Sequence, residues 1–218
     1  MKKGILSAVV CMFVAVSLVA CGGGGDGGGG GGTDATPSAN YSGTWSFPAT
    51  LALNDCNLSD MQNTLSLTNY VTHSGTSVNV VSGTVNLSGT TNDKDGFEVY
   101  SDVSTDSNGC QGMVGIRYDG ASDGNADAAL AIVVQCESLQ CTVGYQGTAV
   151  RTSTSTALAL KAEAAEADTT LYSFMNQCRQ HTFEKSYAPP IDNLPLDKEG
   201  LKQKVTEITR SALDKKRS

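Results

Sequence analysis

Apolar and polar residues alternate repeatedly between residues 41 and 151, and this pattern limits the fold more than any other feature of the chain. A period of two is typical of half-buried β-strands, whereas an amphipathic helix would need a period near 3.6. About eight such segments are present. Their apolar positions fall at residues 43–53, 65–71, 78–80, 85–87, 97–101, 114–118, 130–136 and 141–145.

Glycine-containing pairs separate several of these segments. Ser74-Gly75, Asp95-Gly96, Asn108-Gly109, Asp119-Gly120 and Asp123-Gly124 are residue types that tolerate positive φ, which tight hairpins require. The short spacing favours hairpins over long crossovers, so the strands should be antiparallel. We therefore predict a mainly β fold, an antiparallel barrel or sandwich of about eight strands with a C-terminal helical tail. The β domain is expected over residues 41–151 and the tail over residues 152–218.

Residues 1–20 have the layout of an export signal. Lys2 and Lys3 are followed by an apolar stretch over residues 5–20, which is shorter than the ~20 residues of a permanent membrane helix. The stretch ends in Leu18-Val19-Ala20-Cys21, which resembles the lipobox of bacterial lipoproteins. The resemblance implies cleavage before Cys21 and lipid attachment to Cys21. With Gly22 rather than Asp in the next position, it also implies an address in the outer membrane.

A glycine-rich run follows the lipobox cysteine. Ten of the 24 glycines of the chain lie between residues 22 and 32, and a polar stretch continues to residue 40. Glycine loses too much backbone entropy on ordering to form a helix or a core here. The run also lacks the Lys-Ser/Thr that a phosphate-binding loop of the Walker type needs. We predict a flexible tether over residues 21–40 with a root-mean-square span of roughly 25 Å.

The first predicted strand begins with Gly43-Thr44-Trp45. A Gly-x-Trp at this place resembles the lipocalin-like barrels, in which a tryptophan of the first strand closes one end of the barrel. The resemblance covers three residues. It implies an eight-stranded barrel and, as one alternative for the function, a carrier of a small apolar ligand.

Five cysteines remain after the signal and the lipidated Cys21: Cys56, Cys110, Cys136, Cys141 and Cys178. Disulfides are the default in an exported chain. If residues 137–140 form a hairpin loop, Cys136 and Cys141 can bond across it, which would leave Cys56 to pair with Cys110. Three connectivities of these four cysteines stay open. Cys178 is left either free or available for a bond between chains.

The composition changes near residue 151. Residues 22–150 carry a net charge of −11, whereas residues 151–218 carry +2. Residues 157–187 favour a helix, prolines interrupt the chain from residue 189, and Asp197 could cap a last helix. Leu201, Val205, Ile208 and Ala212 would form its apolar stripe. The stripe is compatible with packing on the β domain or on the preceding helix, and alternatively with a partner or a membrane surface.

Catalytic and metal-binding signatures are scarce. The chain has two histidines, no Gly-x-Ser-x-Gly motif and no CxxC pair. Residues 91–96 place Asp93 and Asp95 as a calcium loop would, but a hairpin turn explains the same residues. We therefore expect no cofactor and no metal. The net charge of −7 argues against a nucleic-acid partner.

These observations favour a lipid-anchored, non-enzymatic lipoprotein of the bacterial envelope, with a β domain that binds a ligand or an envelope partner. The membrane would be reached through the lipid on Cys21, from the periplasmic or the cell-surface side. The alternatives are a lipocalin-like carrier of a small apolar ligand and an envelope hydrolase whose site has no recognisable motif.

Overall fold

The computed structural model describes residues 39–55, 61–105, 109–136, 139–155 and 196–218. These residues form nine strands and one helix, which confirms the predicted mainly β fold. The elements are β1 Gly43–Asn54, β2 Thr64–Ser74, β3 Ser77–Ser82, β4 Val85–Asn92, β5 Gly96–Tyr100, β6 Ser104–Thr105, β7 Gln111–Asp119, β8 Asn125–Cys136, β9 Leu139–Ser153 and α1 Lys198–Arg217. The predicted signal and tether and the predicted helix over residues 157–187 lie outside the described residues.

Eight of the strands close into an antiparallel barrel. Each pairs with its neighbours in sequence, β5 pairs with β7, and β1 pairs with both β2 and β9, so the ring has no open edge. The sequence left open whether the β domain is a barrel or a sandwich, and the pairing of the strands makes it a barrel. Closure satisfies the backbone hydrogen bonds that an open sheet would leave unpaired at its edges.

The ninth strand, β6, continues the line of β5. Tyr100 lies opposite Gly115 on β7, and Ser104 lies opposite Gly112 farther along the same strand. Between them, the Ser101 N–H donates to the Val114 carbonyl at 2.8 Å, and the Ser101 Oγ accepts from the Val114 N–H at 3.1 Å. The segment between β5 and β6 therefore stays hydrogen-bonded to β7 although the strand is interrupted there.

The predicted turn residues have the backbone conformation that their types suggest. Gly75, Gly120 and Gly124 have φ of 62°, 69° and 80°, and Asp95 has a φ of 52°. These turns lie at the barrel end where β1 begins, which we call the first end. The opposite, second end contains the connections from β3 to β4, from β5 to β7 and from β8 to β9.

Aromatic side chains fill the barrel interior. The Tyr118 ring stacks on Phe97 with centroids 4.5 Å apart and meets Trp45 edge-on at 5.4 Å and Phe47 at 6.1 Å. All four side chains are fully buried, as is Tyr145. Such pairs contribute about 0.5–1.5 kcal/mol each beyond the area that they bury. The burial of Tyr118 also raises the pKa of its hydroxyl well above the ordinary value of 10.

Tyr41 covers the first end of the barrel. Its ring packs on Phe97 at 5.5 Å and on His73 at 4.9 Å, and its hydroxyl donates to Asp95 Oδ1 at 3.1 Å. The Trp45 Nε1 donates to the Tyr41 carbonyl at 2.9 Å. Burial and the neighbouring Asp95 carboxylate raise the pKa of Tyr41 to about 12. The segment just before β1 is therefore part of the barrel core.

Helix α1 lies on the outer face of β7, β8 and β9. The predicted stripe is buried there. Its first part, Leu201, Val205 and Ile208, packs against Met113, Ala131 and Val133 of the barrel. Farther along the helix, Ala212 and Leu213 pack against Ala129. Packing on the β domain is thus confirmed, and this stripe is not left free for a partner or a membrane. The predicted cap is also present, because Asp197 Oδ1 accepts from the Gly200 N–H at 2.8 Å.

The cysteine pairing differs from the expected one. Cys110 bonds to Cys136, with 4.3 Å between the Cα atoms, because they lie opposite each other where β7 begins and β8 ends. The expected Cys136–Cys141 and Cys56–Cys110 bonds are therefore wrong. The β8–β9 connection is shorter than assumed, so Cys141 lies opposite Val134 instead. Cys141 is itself disulfide-bonded, and Cys56 and Cys178 lie outside the described residues.

Two glycines let the helix approach the barrel. A Cβ on Gly115 would lie 2.3 Å from Val205 Cγ1, which is too close for any real contact, whereas a Cβ on Gly144 would lie 3.2 Å from Ile208 Cγ2. The outer face of the barrel is thus shaped to fit α1 at these positions.

We expect Gly115→Ala to lower the free energy of unfolding by about 1–3 kcal/mol, because the added methyl overpacks the helix contact. Gly144→Ala should cost less, since its neighbour needs to move by only a few tenths of an ångström. Adding Val205→Ala to Gly115→Ala should recover part of the loss by restoring space. Urea unfolding of the wild type, the two single glycine variants and the double variant measures these free energies. An equal loss for both glycine substitutions would contradict the packing argument.

Candidate functional site

Four surface cavities of the described residues lie along α1. One of them, about 690 Å³, is an open depression formed by α1 residues from Gln203 onward and by Ser218, which follows the helix. Three others, of about 340, 220 and 140 Å³, lie between α1 and different strands. The helix therefore forms a wall of each candidate site.

The cavity of about 340 Å³ lies beside the first turns of α1, near the second end of the barrel. Its size falls in the range of ~300–1,000 Å³ that small-molecule sites occupy. We call it the α1–β4 groove. Its lining consists of Asn86, Ser88, Tyr100, Ser101, Asp102, Met113, Lys198, Glu199 and Lys202.

Tyr100 forms a fixed aromatic wall of the α1–β4 groove. Its hydroxyl donates to Glu98 Oε2 at 2.5 Å and shares a hydrogen bond with Thr206 Oγ1 at 2.6 Å. The Lys202 ammonium lies 5.0 Å from the ring centroid, within cation–π range. Burial is the main reason why the pKa of Tyr100 is raised above its ordinary value. A wall held in this way needs little reorganisation when a ligand binds.

Charges in the α1–β4 groove are balanced. Lys198 Nζ lies 3.3 Å from Asp102 Oδ1, and both side chains are largely exposed, so this ion pair contributes little stability. Lys202 and Glu199 add one further charge of each sign. Asn86 and Ser88 on β4 add neutral, exposed hydrogen-bonding groups. The groove can therefore donate and accept hydrogen bonds without a strong electrostatic preference.

The last turn of α1 is held at the first end of the barrel by ion pairs. The Lys216 ammonium donates to Asp127 Oδ1, to the Gly147 carbonyl at 2.9 Å and to Thr148 Oγ1 at 2.7 Å. Arg217 Nη2 lies 3.0 Å from the Asp119 carboxylate. Arg217 Nε also lies 3.4 Å from Asp127 Oδ2. We call Asp119, Asp127, Lys216 and Arg217 the C-terminal latch.

Arg117 connects the C-terminal latch to β5. This guanidinium is almost fully buried, with Nε 2.8 Å from Asp119 Oδ1 and Nη1 against the Glu98 carboxylate. It lines the cavity of about 220 Å³ together with Asp93, Lys94, Asp119, Arg210, Leu213, Asp214 and Arg217. Buried charges are tolerated when paired. Because Arg117 and Arg217 are occupied by carboxylates of the chain, we interpret this network as structural.

Sequence reasoning did not find the latch or the Arg117 network. The available signal was the position of Arg117 and Asp119 in the outward register of β7, directly after the outward residues Met113 and Gly115, which are apolar or glycine. A charged pair on the outer face of such a strand indicates that another element, with charges that complement the pair, covers it. The basic last turn of α1 is that element. The ion pairs of the latch join residues that are 89 to 98 positions apart, which no local pattern reveals.

The histidine and the loop considered for chemistry have structural roles. His73 Nε2 donates to the Gly75 carbonyl at 2.7 Å. Residues 93–95 form the β4–β5 turn, in which the Lys94 N–H donates to Oδ1 of Asn92, the last residue of β4, at 2.9 Å. In the part of the chain that the structure describes, no group of three or more His, Cys, Asp or Glu side chains is placed to hold a metal ion.

The C-terminal latch should depend on pH. The hydrogen bond from Lys216 is the main reason why the pKa of Asp127 lies below its ordinary value of 3.8. A carboxyl with a lowered folded-state pKa adds stability that is complete well above pH 3.8 and is lost as the pH falls through the folded pKa. We expect Asp127→Asn to lower the free energy of unfolding at pH 7, and the gap to the wild type to narrow below pH 3.8.

Urea unfolding of both proteins between pH 7 and pH 3 measures this gap. Asp123→Asn is a suitable control, because Asp123 is exposed in the neighbouring turn and no cation among the described residues pairs with it. A gap that stays constant across this pH range would show that Asp127 acts through something other than its charge.

Two further observations bear on identity. None of the helices in the described ranges combines the length and apolar character needed to span a membrane. Comparison of the chain with protein-family models, with curated proteins and with solved structures found no match.

Proposed function

We propose that the chain is a lipid-anchored lipoprotein of the bacterial envelope and that its barrel is a non-enzymatic recognition module. The support for the anchor is the order of features along the sequence: a positively charged start, an apolar stretch, Leu18-Val19-Ala20-Cys21 and a glycine-rich run. Two or more acyl chains on Cys21 would suffice for stable anchoring without a transmembrane helix.

The packing of the barrel carries the second part of the proposal. Trp45, Phe97 and Tyr118 occupy the interior, where a carrier would keep an apolar ligand. The α1–β4 groove, by contrast, is open to solvent and lined by neutral and oppositely charged polar groups. Recognition is therefore better supported on the outside of the barrel than within it.

The groove and the start of β1 lie at opposite ends of the barrel. The chain enters the barrel at the first end, where Arg151 Nη1 donates to the Asn40 carbonyl at 2.6 Å just before β1. Helix α1 runs from the second end, where Leu196 N–H donates to Gln135 Oε1, to the latch at the first end. The groove beside its first turns is thus at the second end of the barrel, opposite the end at which Asn40 leads into β1.

A lipocalin-like carrier is the second candidate, because the barrel is closed and Trp45 lies on its first strand. It requires an interior that opens to admit a ligand, against the stacked rings of Tyr118 and Phe97. An envelope hydrolase has less support, since His73 and Asp127 are both engaged in structural hydrogen bonds.

The anchor is tested by Cys21→Ala, with Cys11→Ala as the matched control inside the signal. We expect the wild type and Cys11→Ala to incorporate radiolabelled palmitate and to fractionate with the outer membrane. Cys21→Ala should lose the label and leave the membrane fraction after a high-salt wash. Retention of the label by Cys21→Ala would remove the basis for the anchor, even if the variant is poorly expressed.

The carrier alternative is tested through Trp45, the single tryptophan of the chain. Because its ring is fully buried among other aromatics, a ligand entering the barrel must change its emission. We expect no change in wavelength or intensity when a long-chain fatty acid or retinol is titrated into the protein. A saturable change at micromolar ligand would favour the carrier and count against a permanently filled interior.

A further inference from the structure

Strands β2, β3 and β4 present a surface without formal charge. None of the three contains Asp, Glu, Lys or Arg, although the chain as a whole has 37 such residues. Their inward side chains, such as Val80 and Leu87, are buried in the barrel, while the outward side chains are mostly hydroxyls and amides. This face contrasts with the face covered by the charged helix α1.

A cross-strand row on this face leads into the α1–β4 groove. Thr72 pairs with Asn79, Asn79 with Ser88, and Ser88 with Tyr100, so four outward side chains follow one another across four strands. Adjacent strands lie ~4.8 Å apart, so the row spans roughly 14 Å. Ser88 and Tyr100 also line the groove, which makes the row and the cavity one continuous surface. We call it the polar row.

The charge of the polar row restricts the partner. A nucleic acid or an anionic lipid headgroup needs an excess of cations, whereas the row is neutral and the groove has two charges of each sign. An apolar protein surface needs exposed apolar side chains. Among the described residues, Val150 on β9 is the large apolar side chain that stands out as exposed, and it lies outside the row.

A ligand that carries hydroxyl groups fits the polar row and the α1–β4 groove once anionic and apolar partners are excluded. A sugar hydroxyl both donates and accepts, so it can pair with Asn79 and Ser88 along the row and with either member of the Lys198–Asp102 pair in the groove. The fixed ring of Tyr100 offers a flat apolar wall for a sugar ring. Such amphipathic sites, apolar with a few placed polar groups, are typical of small-molecule binding.

We propose that the polar row and the α1–β4 groove together bind a neutral saccharide chain of the cell envelope. A polymer of hydroxyl-bearing rings would lie across β2–β4 and place one end in the groove. This inference deepens the proposed function, since it names the class of envelope partner that the barrel would recognise.

The test uses the full-length lipidated protein in a nonionic detergent. Native electrophoresis is run through gels that contain dextran, a soluble β-1,3-glucan, a soluble chitin derivative or acidic alginate. We expect at least one neutral glycan to retard the protein, and the retardation to persist at high salt because no net charge is involved. The migration against glycan concentration gives the dissociation constant.

Substitutions locate the site. Asn79→Ala with Ser88→Ala should weaken binding about tenfold or more, as expected for the loss of two hydrogen-bonding side chains. Thr64→Ala with Thr68→Ala is the matched control, because both threonines are exposed on β2 outside the polar row. Unchanged Trp45 emission confirms that each variant is folded.

Three outcomes would overturn the proposal: no retardation by any neutral glycan, salt-sensitive retardation by alginate alone, or equal binding by the row and control variants. None of these touches the anchor, which is read from the Cys21→Ala fractionation. If the anchor is present and glycans do not bind, the saccharide is wrong while the lipid-anchored protein stands.

Discussion

The ring of Tyr118 is the contact on which the barrel interior depends. It stacks on Phe97 of β5 and meets Trp45 of β1 across the barrel. Its hydroxyl accepts from Asn69 Nδ2 at 2.6 Å, so the buried amide NH2 group of a β2 residue finds its acceptor on the same side chain. Strands from opposite sides of the barrel are thus joined through the side chain of Tyr118. A smaller residue at this place would leave a cavity and an unpaired amide together, and both are costly in a packed core.

Much of the barrel could be predicted from sequence because its determinants are local. Period-two alternation, with glycine or aspartate at positive φ in the turns, places most strands within a few residues. The stripe of Leu201 and Val205 likewise predicts a covered helix face. The disulfide could not be predicted, because Cys110 pairs with Cys136 only once the register of β7 and β8 is known. A difference of a few residues in the length of one loop placed Cys141 opposite Val134 of β8 rather than opposite Cys136.

The candidate site was beyond sequence reasoning for a related reason. The α1–β4 groove combines residues from β4, β5, β7 and α1, which are separated by as much as about a hundred positions. No motif marks them, since each is an ordinary residue of its own segment. What makes them a site is the close approach of α1, and this depends on the missing side chains at Gly115 and Gly144. Glycine weakens a strand interior, yet these two strand glycines are what lets α1 approach the barrel closely.

Glu98 connects the α1–β4 groove with the Arg117 network. One carboxylate oxygen accepts from the Tyr100 hydroxyl at the groove, while the other contacts Arg117 and lies 3.2 Å from Arg210 Nη2 of α1. A half-buried carboxylate that holds β5, β7 and α1 at once couples the position of the aromatic wall to the docking of the helix. Any change that lifts α1 from the barrel removes both the lysine side of the groove and a partner of Glu98. The groove is therefore a property of the docked helix rather than of the barrel alone.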